Sequence, residues 1–297
     1  MLHALARPLC LIALALPALA IAQTPSTLDK IKQSGSMTLA YRESSIPFSY
    51  LGSDAKPVGF AFEICEKIAD NVKKATGRAD MQKQYQAVTS ANRIPLLQNG
   101  TIDIECGSTT NNSERGKQVQ FATNYFYTGT RFLVKAGTPV TKLSDLAGKQ
   151  VVSTTGTTNF QIIRRLNEEQ KLGIDLLGAK DHAESALMVE TGRAVAFAMD
   201  DILLYGLKAS SQNPASLAVV GEAIQVEPYA IMMRKDDPSF QKLVDDALAG
   251  MMKSGEFETL YKKWFQSPIP PKGINLNAPM SKELIDNMKA LSDKPAT

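Results

Sequence analysis

The fold class follows from residues 85–105, YQAVTSANRIPLLQNGTIDIE. Residues 85–88 predict a strand, and Ser90 can cap the helix that follows it. An Asn-Gly pair then predicts a turn, and residues 102–105 start a second strand. A strand, a helix and a second strand within so short a segment predict a βαβ unit with parallel strands.

The same alternation continues on both sides of this segment. Upstream, residues 37–41 predict a strand, and residues 60–75 place apolar side chains along one face of a helix. Further strands and helices are predicted downstream, with strands at 150–153, 174–177, 194–199 and 230–233 and helices at 157–166, 182–191 and 243–252. Because the pattern starts afresh after residue 146, we expect a second, smaller α/β lobe.

No segment of linker composition separates the two predicted lobes. We therefore expect extended crossings, near residues 127–131 and 226–229, instead of a flexible tether. Lobe 1 is predicted to comprise 23–128 and 229–297 with the C-terminal tail, and lobe 2 is predicted to comprise 129–228. Two extended crossings between lobes predict a hinge.

The N-terminus predicts export. Arg7 precedes an apolar run over residues 9–21, and Ala20-Ile21-Ala22 is typical of a cleavage site, so residues 1–22 are interpreted as a signal peptide. The run is shorter than the ~20 apolar residues of a membrane span. We expect a soluble mature protein.

Composition narrows the function classes. The 297-residue chain is 44% hydrophobic and 21% charged, which is typical of a globular protein. Its 33 basic and 30 acidic residues nearly balance, and loss of the signal peptide removes only Arg7. Near-neutral charge argues against nucleic acid as a partner. Cys65 and Cys106 remain after export, and the sequence leaves open whether they form a disulfide.

Signals for catalysis are weak. His182 is the only histidine after residue 22, which excludes a site built from several histidines. The chain has neither a phosphate-binding glycine loop nor a hydrolase nucleophile motif. Asp200 and Asp201 are neighbours on a predicted strand and should point to opposite faces. We therefore expect no cofactor, no metal and no enzymatic activity.

Polar residues cluster just beyond the predicted strand ends, where open α/β sheets bind ligands. They are Arg42, Ser90, Arg93, Ser108, Thr110, Arg115, Thr157, Thr158, His182 and Asp200. Helix N-termini and arginine forks both favour carboxylates. Three arginines facing one acid, Asp200, fit a ligand with two carboxylates and one ammonium, which describes glutamate or aspartate.

Several segments carry a family resemblance over nearly the whole mature chain. They are 26–31 (STLDKI), 42–49 (RESSIPFS), 92–100 (NRIPLLQNG), 105–112 (ECGSTTNN), 192–197 (GRAVAF), 234–238 (RKDDP) and 263–265 (KWF). On these segments the chain resembles the polar-amino-acid solute-binding proteins of ABC importers. The resemblance implies a two-lobed, type II periplasmic-binding-protein fold, a monomer in the periplasm, and delivery to permease subunits at the inner membrane.

The resemblance also implies roles for the clustered residues. Arg115 would hold the α-carboxylate of L-glutamate or L-aspartate, with Ser108 and Thr110 beside it, and Asp200 would bind the ammonium. The side-chain carboxylate is implied to contact three residues of the first lobe: Arg42, Ser90 and Arg93. Three residues of the second lobe are implied to close over the ligand: Thr157, Thr158 and His182. A capping or purely structural role for His182 stays open.

The chain departs from the family pattern at one position near the first helix. The family pattern is glycine-aromatic-acid-hydrophobic-acid, and Ala61 occupies its first acidic position here. The missing negative charge argues against a basic amino acid as the ligand. Secreted dehydratase-type enzymes acting on small carboxylates share the fold, and fold alone does not fix function. A ligand-sensing module is the other alternative. The sequence does not rank glutamate against aspartate, because one methylene is worth only about 1–3 kcal/mol in a shaped pocket.

Overall fold

The computed structural model describes residues 25–296, so the predicted signal peptide lies outside the described residues. Ten α-helices are described: α1 Thr27–Ser34, α2 Phe60–Thr76, α3 Arg93–Gln98, α4 Ser113–Gly116, α5 Thr158–Gln170, α6 His182–Glu190, α7 Asp201–Ser210, α8 Pro238–Ser254, α9 Glu256–Phe265 and α10 Lys282–Ala290. None of these helices is long and apolar enough to cross a membrane.

Twelve strands are described over the same residues: β1 Ser36–Tyr41, β2 Ser44–Ser45, β3 Ser49–Leu51, β4 Pro57–Val58, β5 Gln82–Ala87, β6 Ile104–Glu105, β7 Val119–Lys135, β8 Gln150–Thr154, β9 Asp175–Ala179, β10 Ala196–Asp200, β11 Leu217–Val220 and β12 Val226–Arg234. Nine of them form one sheet in the order β5-β1-β6-β12-β7-β10-β8-β9, with β11 paired to β7. β2, β3 and β4 form a separate small sheet.

The sheet divides into two parallel sets joined by antiparallel strands. β1 is parallel to β5 and β6, and β8 is parallel to β9 and β10. The antiparallel pairs of this sheet all involve β7 or β12. The predicted parallel βα units are confirmed within each lobe, and the two long strands that both lobes share supply the antiparallel pairing.

The two predicted crossings lie side by side. β7 and β12 pair antiparallel there, with Val226 opposite Gly129 and Glu227 opposite Thr128. The register shifts on either side of Ala230, which marks a bulge within β12. The two lobes are thus joined by a pair of hydrogen-bonded strands.

The core of the first lobe is built around α2 and a cluster of aromatic rings. The apolar stripe predicted on α2 is buried, including Ile64, Ile68 and Val72. An aromatic cluster lies between α2, α9 and β7, where Phe60 packs edge-on against Phe265 at a centroid distance of 5.2 Å. Such aromatic pairs add about 0.5–1.5 kcal/mol beyond their buried area.

A disulfide joins this core to the ligand-facing edge of the sheet. Cys65 of α2 is bonded to Cys106, which directly follows β6, with their Cα atoms 6.0 Å apart. The question left open by the sequence is thereby answered, because the fold brings α2 across the end of β6. The bond anchors the loop that begins at Gly107.

The predicted cap of the third helix is wrong. α3 begins at Arg93 instead of near Ser90, and its N-cap is Asn92. The reason is a reciprocal pair, in which the Thr89 amide donates to Asn92 Oδ1 (2.8 Å) and the Asn92 amide donates to Thr89 Oγ1 (3.2 Å). This pair shapes the turn before the helix, so the Ser90 hydroxyl is not used for capping.

Candidate ligand-binding site

A small cavity lies between the lobes at the strand ends. Its walls are Ser90, Arg93, Ser108, Thr110, Arg115, Thr157, Thr158, Asn159, His182, Met199, Asp200 and Leu203. Nine of the ten residues predicted from sequence line this cavity, and the tenth, Arg42, lies next to it with its Nη2 3.4 Å from His182 Nε2. The carboxyl ends of strands from both lobes converge here, which is why residues far apart in sequence meet.

Arg42 is almost completely buried at the end of β1. Its Nε donates to Val88 O at 3.0 Å, and its Nη2 lies 3.4 Å from His182 Nε2. Burial, with the neighbouring Arg93 charge, lowers the pKa of Arg42 to about 10. The guanidinium therefore stays protonated at neutral pH.

Arg93 is paired with Glu105, a carboxylate that was not among the predicted site residues. Its Nη1 lies 3.5 Å from Glu105 Oε1, and both side chains are buried. Thr109 completes the group, because its hydroxyl accepts from Arg93 and donates to Glu105 Oε2 at 2.6 Å. Glu105 and Thr109 thus hold the Arg93 guanidinium in place.

Arg115 reaches from the first lobe to the second. Asn112 caps α4 by accepting from the Arg115 amide at 2.9 Å, which sets the direction of the side chain. The guanidinium donates to Thr110 O (2.9 Å) and, across the cleft, to Gly156 O (3.1 Å). Burial, with the Arg93 charge, lowers the pKa of Arg115 to about 9, so it too remains a cation.

Four buried donor atoms around the cavity have no hydrogen-bond partner among the described residues. They are Arg42 Nη1, Arg93 Nε, Ser90 Oγ and Ser108 Oγ. An unpaired buried donor costs about 1–3 kcal/mol, and native structures keep few of them. Their concentration at one cavity, all on the first lobe, indicates a site built to donate hydrogen bonds to an acceptor-rich ligand.

The second lobe presents the N-terminus of α5. Thr157 caps this helix by accepting from the Phe160 amide (3.1 Å) and donates to Thr154 O (2.7 Å). Thr158 donates to Glu227 Oε2 (2.9 Å) and lies 3.3 Å from Thr110 Oγ1 of the first lobe. Both residues line the cavity as predicted, and both hydroxyls already have protein partners. The positive end of the helix dipole faces the cavity with them.

His182 is a buried bridge between the lobes. Arg42 can only donate, so His182 Nε2 accepts, and Nδ1 then donates to Thr154 Oγ1 at 2.9 Å. Burial and the charges of Arg42 and Arg93 lower the pKa of His182 well below its usual range. The ring is neutral at physiological pH. The helix cap is Asp181, so the capping interpretation of His182 is wrong.

Asp200 lines the cavity from the second lobe. Its Oδ1 accepts from Asn159 Nδ2 at 2.7 Å, and its Oδ2 accepts from the Tyr229 hydroxyl. Burial, with the neighbouring Glu227 carboxylate, raises the pKa of Asp200 to about 7. Asp201 begins α7 and instead accepts from Thr128 at 2.6 Å, so the two neighbours do point apart as predicted.

The predicted charge count is corrected by the structure. Three buried acids, not one, lie near the three arginines, because Glu105 and Glu227 are also fully buried. Burial raises the pKa of Glu227, which accepts from Thr158 and, at 3.0 Å, from Gln225. Glu105 lies between Ile104 and Cys106, and Glu227 lies between Val226 and Pro228. An acid flanked by apolar residues in a strand could have indicated a buried carboxylate. The sequence alone did not show which cations the two acids would face.

Close contact of the lobes depends on one glycine. Gly156 has φ +81°, and a Cβ at this position would lie 2.6 Å from the backbone of Ala91 in the first lobe. The turn between β8 and α5 therefore packs directly on the backbone beside Ser90. Together with the Arg115 bond to Gly156 O, this contact shows the two lobes closed over the cavity.

Comparison with known proteins gives a consistent set of matches. Residues 37–267 match the model of the bacterial extracellular solute-binding proteins, family 3. The chain is 48% identical over 271 residues to the L-glutamate/L-aspartate-binding protein of Pseudomonas aeruginosa, covering 91% of this chain and 90% of that protein. It is 48% identical over 270 residues to the glutamate/aspartate import solute-binding protein of Escherichia coli, covering 91% and 88%. A solved structure of a mutant ArgBP from T. maritima superposes with a TM-score of 0.73 at 25% identity, covering 81% of this chain and 99% of that chain.

Proposed function

This chain belongs to the bacterial extracellular solute-binding proteins of family 3, and we propose that it captures L-glutamate or L-aspartate and delivers it to an ABC importer. In this proposal the mature protein acts as a monomer in the periplasm and is recognised by the permease subunits at the inner membrane. It is a carrier and not an enzyme, in keeping with relatives that are named for binding and import.

The observation that carries the proposal is the polarity of the cavity. Donors without partners come from two arginines and two serines of the first lobe, whereas the buried carboxyl of Asp200 lies on the second lobe. Two carboxylates can accept the free donors, and an ammonium can donate to Asp200. An acidic amino acid offers both groups on one small skeleton.

The proposed roles follow this polarity. Arg115 holds the α-carboxylate together with Ser108 and Thr110, and Asp200 binds the ammonium. The side-chain carboxylate is bound by Arg42, Ser90 and Arg93. Thr157, Thr158 and His182 close the cavity from the second lobe, largely through the α5 N-terminus and the bridge to Arg42.

Hinge closure is the proposed mechanism. In this proposal the lobe boundaries stay as predicted from sequence, at 128/129 and 228/229, and the pairing of β7 with β12 beside them supports that choice. Rotation about these strands would separate Arg115 from Gly156 and Arg42 from His182, opening the cavity. A ligand that contacts both lobes favours the closed form, and it shifts the equilibrium only by its preference for that form.

Calorimetric titration of ligand-stripped mature protein tests the proposal. L-glutamate or L-aspartate is expected to bind one to one, with glutamine, asparagine and lysine far weaker. Amides that bind as well as the acids would contradict the assignment of Arg42 and Arg93 to a carboxylate. If none of these ligands binds, incubation with small carboxylated substrates and a search for turnover would test the dehydratase alternative.

A further inference from the structure

The C-terminal segment 292–296 lies against the loop that carries the proposed carboxylate ligands. It follows α10, whose Leu284 is buried in the core of the first lobe. The match to the family model ends at residue 267, so this segment lies outside the part of the chain that the model covers. Its contacts are with the backbone and side chains that lead to Thr110 and Arg115.

The segment completes a strand-like edge beside residues 109–112. On one side, this loop pairs with β12, where the Asn111 amide donates to Pro228 O at 2.8 Å and the Ala230 amide donates to Thr109 O at 3.1 Å. On the other side, the Ala296 amide donates to Asn111 O at 2.9 Å. The loop is therefore held between β12 and the C-terminal segment.

Two buried asparagines fasten the segment by side-chain bonds. Asn111 Nδ2 donates to Asp293 O (2.6 Å), and Asn124 Nδ2 donates to Lys294 O (2.8 Å). The backbone of Asn124 also donates to Ser292 O at 3.0 Å. Asn111 and Asn124 are joined to each other at 3.0 Å, so the loop, β7 and the segment form one network.

This network is connected to the ligand site through the two chain neighbours of Asn111. Thr110, which lines the cavity, precedes Asn111, and its carbonyl accepts from Arg115 at 2.9 Å. Asn112 follows Asn111 and caps the turn of helix that carries Arg115. A shift of Asn111 would move the carbonyl that Arg115 uses and the cap that orients it.

We infer that residues 292–296 act as a strap that positions Thr110 and Arg115 for the ligand's α-carboxylate. The inference rests on the proposed function, since it concerns the same site. None of the strap residues lines the cavity, so the strap acts through Asn111 and Asn112 and not by touching the ligand. By keeping the loop ordered in the free protein, it lowers the cost of ordering on binding.

Removal of the strap tests the inference. A variant that ends at Leu291 is expected to bind L-glutamate or L-aspartate about tenfold more weakly, equivalent to ~1.4 kcal/mol, mainly through faster dissociation. Ala296→Pro removes the amide that donates to Asn111 O and should weaken binding about threefold, ~0.7 kcal/mol. Ala296→Ser keeps that amide and is expected to stay closer to the parent than Ala296→Pro does.

A structural effect is separated from a positioning effect by two controls. Leu284→Ala removes core packing of α10 without touching the strap bonds, and should lower the melting temperature by several degrees while leaving the affinity at 25 °C within twofold. In an Arg115→Lys background, strap removal should cost less affinity than in the parent, because the two changes act on one contact.

The outcomes are distinct. A parent that binds neither acid refutes the proposed function. If the parent binds and the variant ending at Leu291 binds within twofold of it, the strap inference alone is wrong. An affinity loss of equal size in Leu284→Ala, or strap and Arg115 effects that simply add, would also overturn it.

Discussion

The two lobes meet the cavity with different chemistry. The first lobe contributes three buried arginines and two serines, several of whose donors have no partner among the described residues. The second lobe contributes threonine hydroxyls already in use, a neutral histidine and the carboxyl of Asp200. The buried arginine charges therefore lie on the first lobe. There the disulfide anchors the neighbouring loop, and Glu105 pairs with Arg93. The other lobe brings mostly neutral groups, whose burial on closure costs less.

Arg115→Ala should produce the largest effect. The change leaves a buried ligand carboxylate without its counter-ion, and breaking a buried pair costs on the order of 3–5 kcal/mol. We expect affinity for the acidic ligand to fall by about 100-fold or more, measured by calorimetry. Thr157→Ala is the matched change on the second lobe and should cost far less, since that hydroxyl caps α5. Equal losses in the two variants would contradict the contrast between the lobes.

Gly156→Ala should come next, because it opposes closure without removing a charge. The new Cβ would meet the Ala91 backbone at 2.6 Å, and φ is +81°. Overpacking of about 2 kcal/mol confined to the closed form predicts roughly 30-fold weaker binding. The control is Gly173→Ala, where φ is +65° but nothing lies within 4 Å, so it carries only the backbone strain. Small-angle scattering should show Gly156→Ala remaining open at ligand concentrations that close the control.

Asp200→Asn should be milder, at about tenfold, since a hydrogen bond to a charged group contributes about 1.5–3 kcal/mol. Glu227 remains nearby as a second acid, which limits the loss. Titration against glutamate and against its des-amino analogue glutarate gives the check. The variant should lose affinity for glutamate but not for glutarate. An equal loss for both ligands would mean that Asp200 supports the fold of the cavity and not the ammonium.

The smallest effect is expected from pH. Burial raises the pKa of Asp200 to about 7 in the closed form without ligand, and a bound ammonium would favour the ionised form. Binding should therefore release protons, and affinity should rise several-fold between pH 5.5 and about 7. The free energy of unfolding of the ligand-free protein should change in the opposite direction. A carboxyl with a raised pKa stabilises the fold at low pH, and this contribution is lost as pH rises through that pKa. Calorimetry in buffers of different ionisation heat measures the released protons. Asp200→Asn should flatten the profile; a slope unchanged in that variant would assign it elsewhere.

Much of the site was predictable because strand ends in α/β sheets share an edge. The strand-helix alternation in both lobes placed nine predicted residues on what proved to be one cavity. The cap of α3 was not predictable, since Ser90, Asn92 and Thr89 are all favourable capping types and only local geometry selects among them. Glu105 and Glu227 were missed as site residues because the role of a carboxylate in a strand depends on which cation lies beside it in the folded protein.

The sequence by itself determined the α/β class, the two lobes and the polar residues that end their strands. Those features depend on local periodicity and on chain direction, which the sequence carries directly. Only the tertiary structure decided the Cys65–Cys106 bond, the pairing of Arg93 with Glu105, the neutral state of His182 and the contact between Ala296 and Asn111. Each of these depends on distances between segments far apart in the chain, and on burial, which changes the strength of every charge interaction.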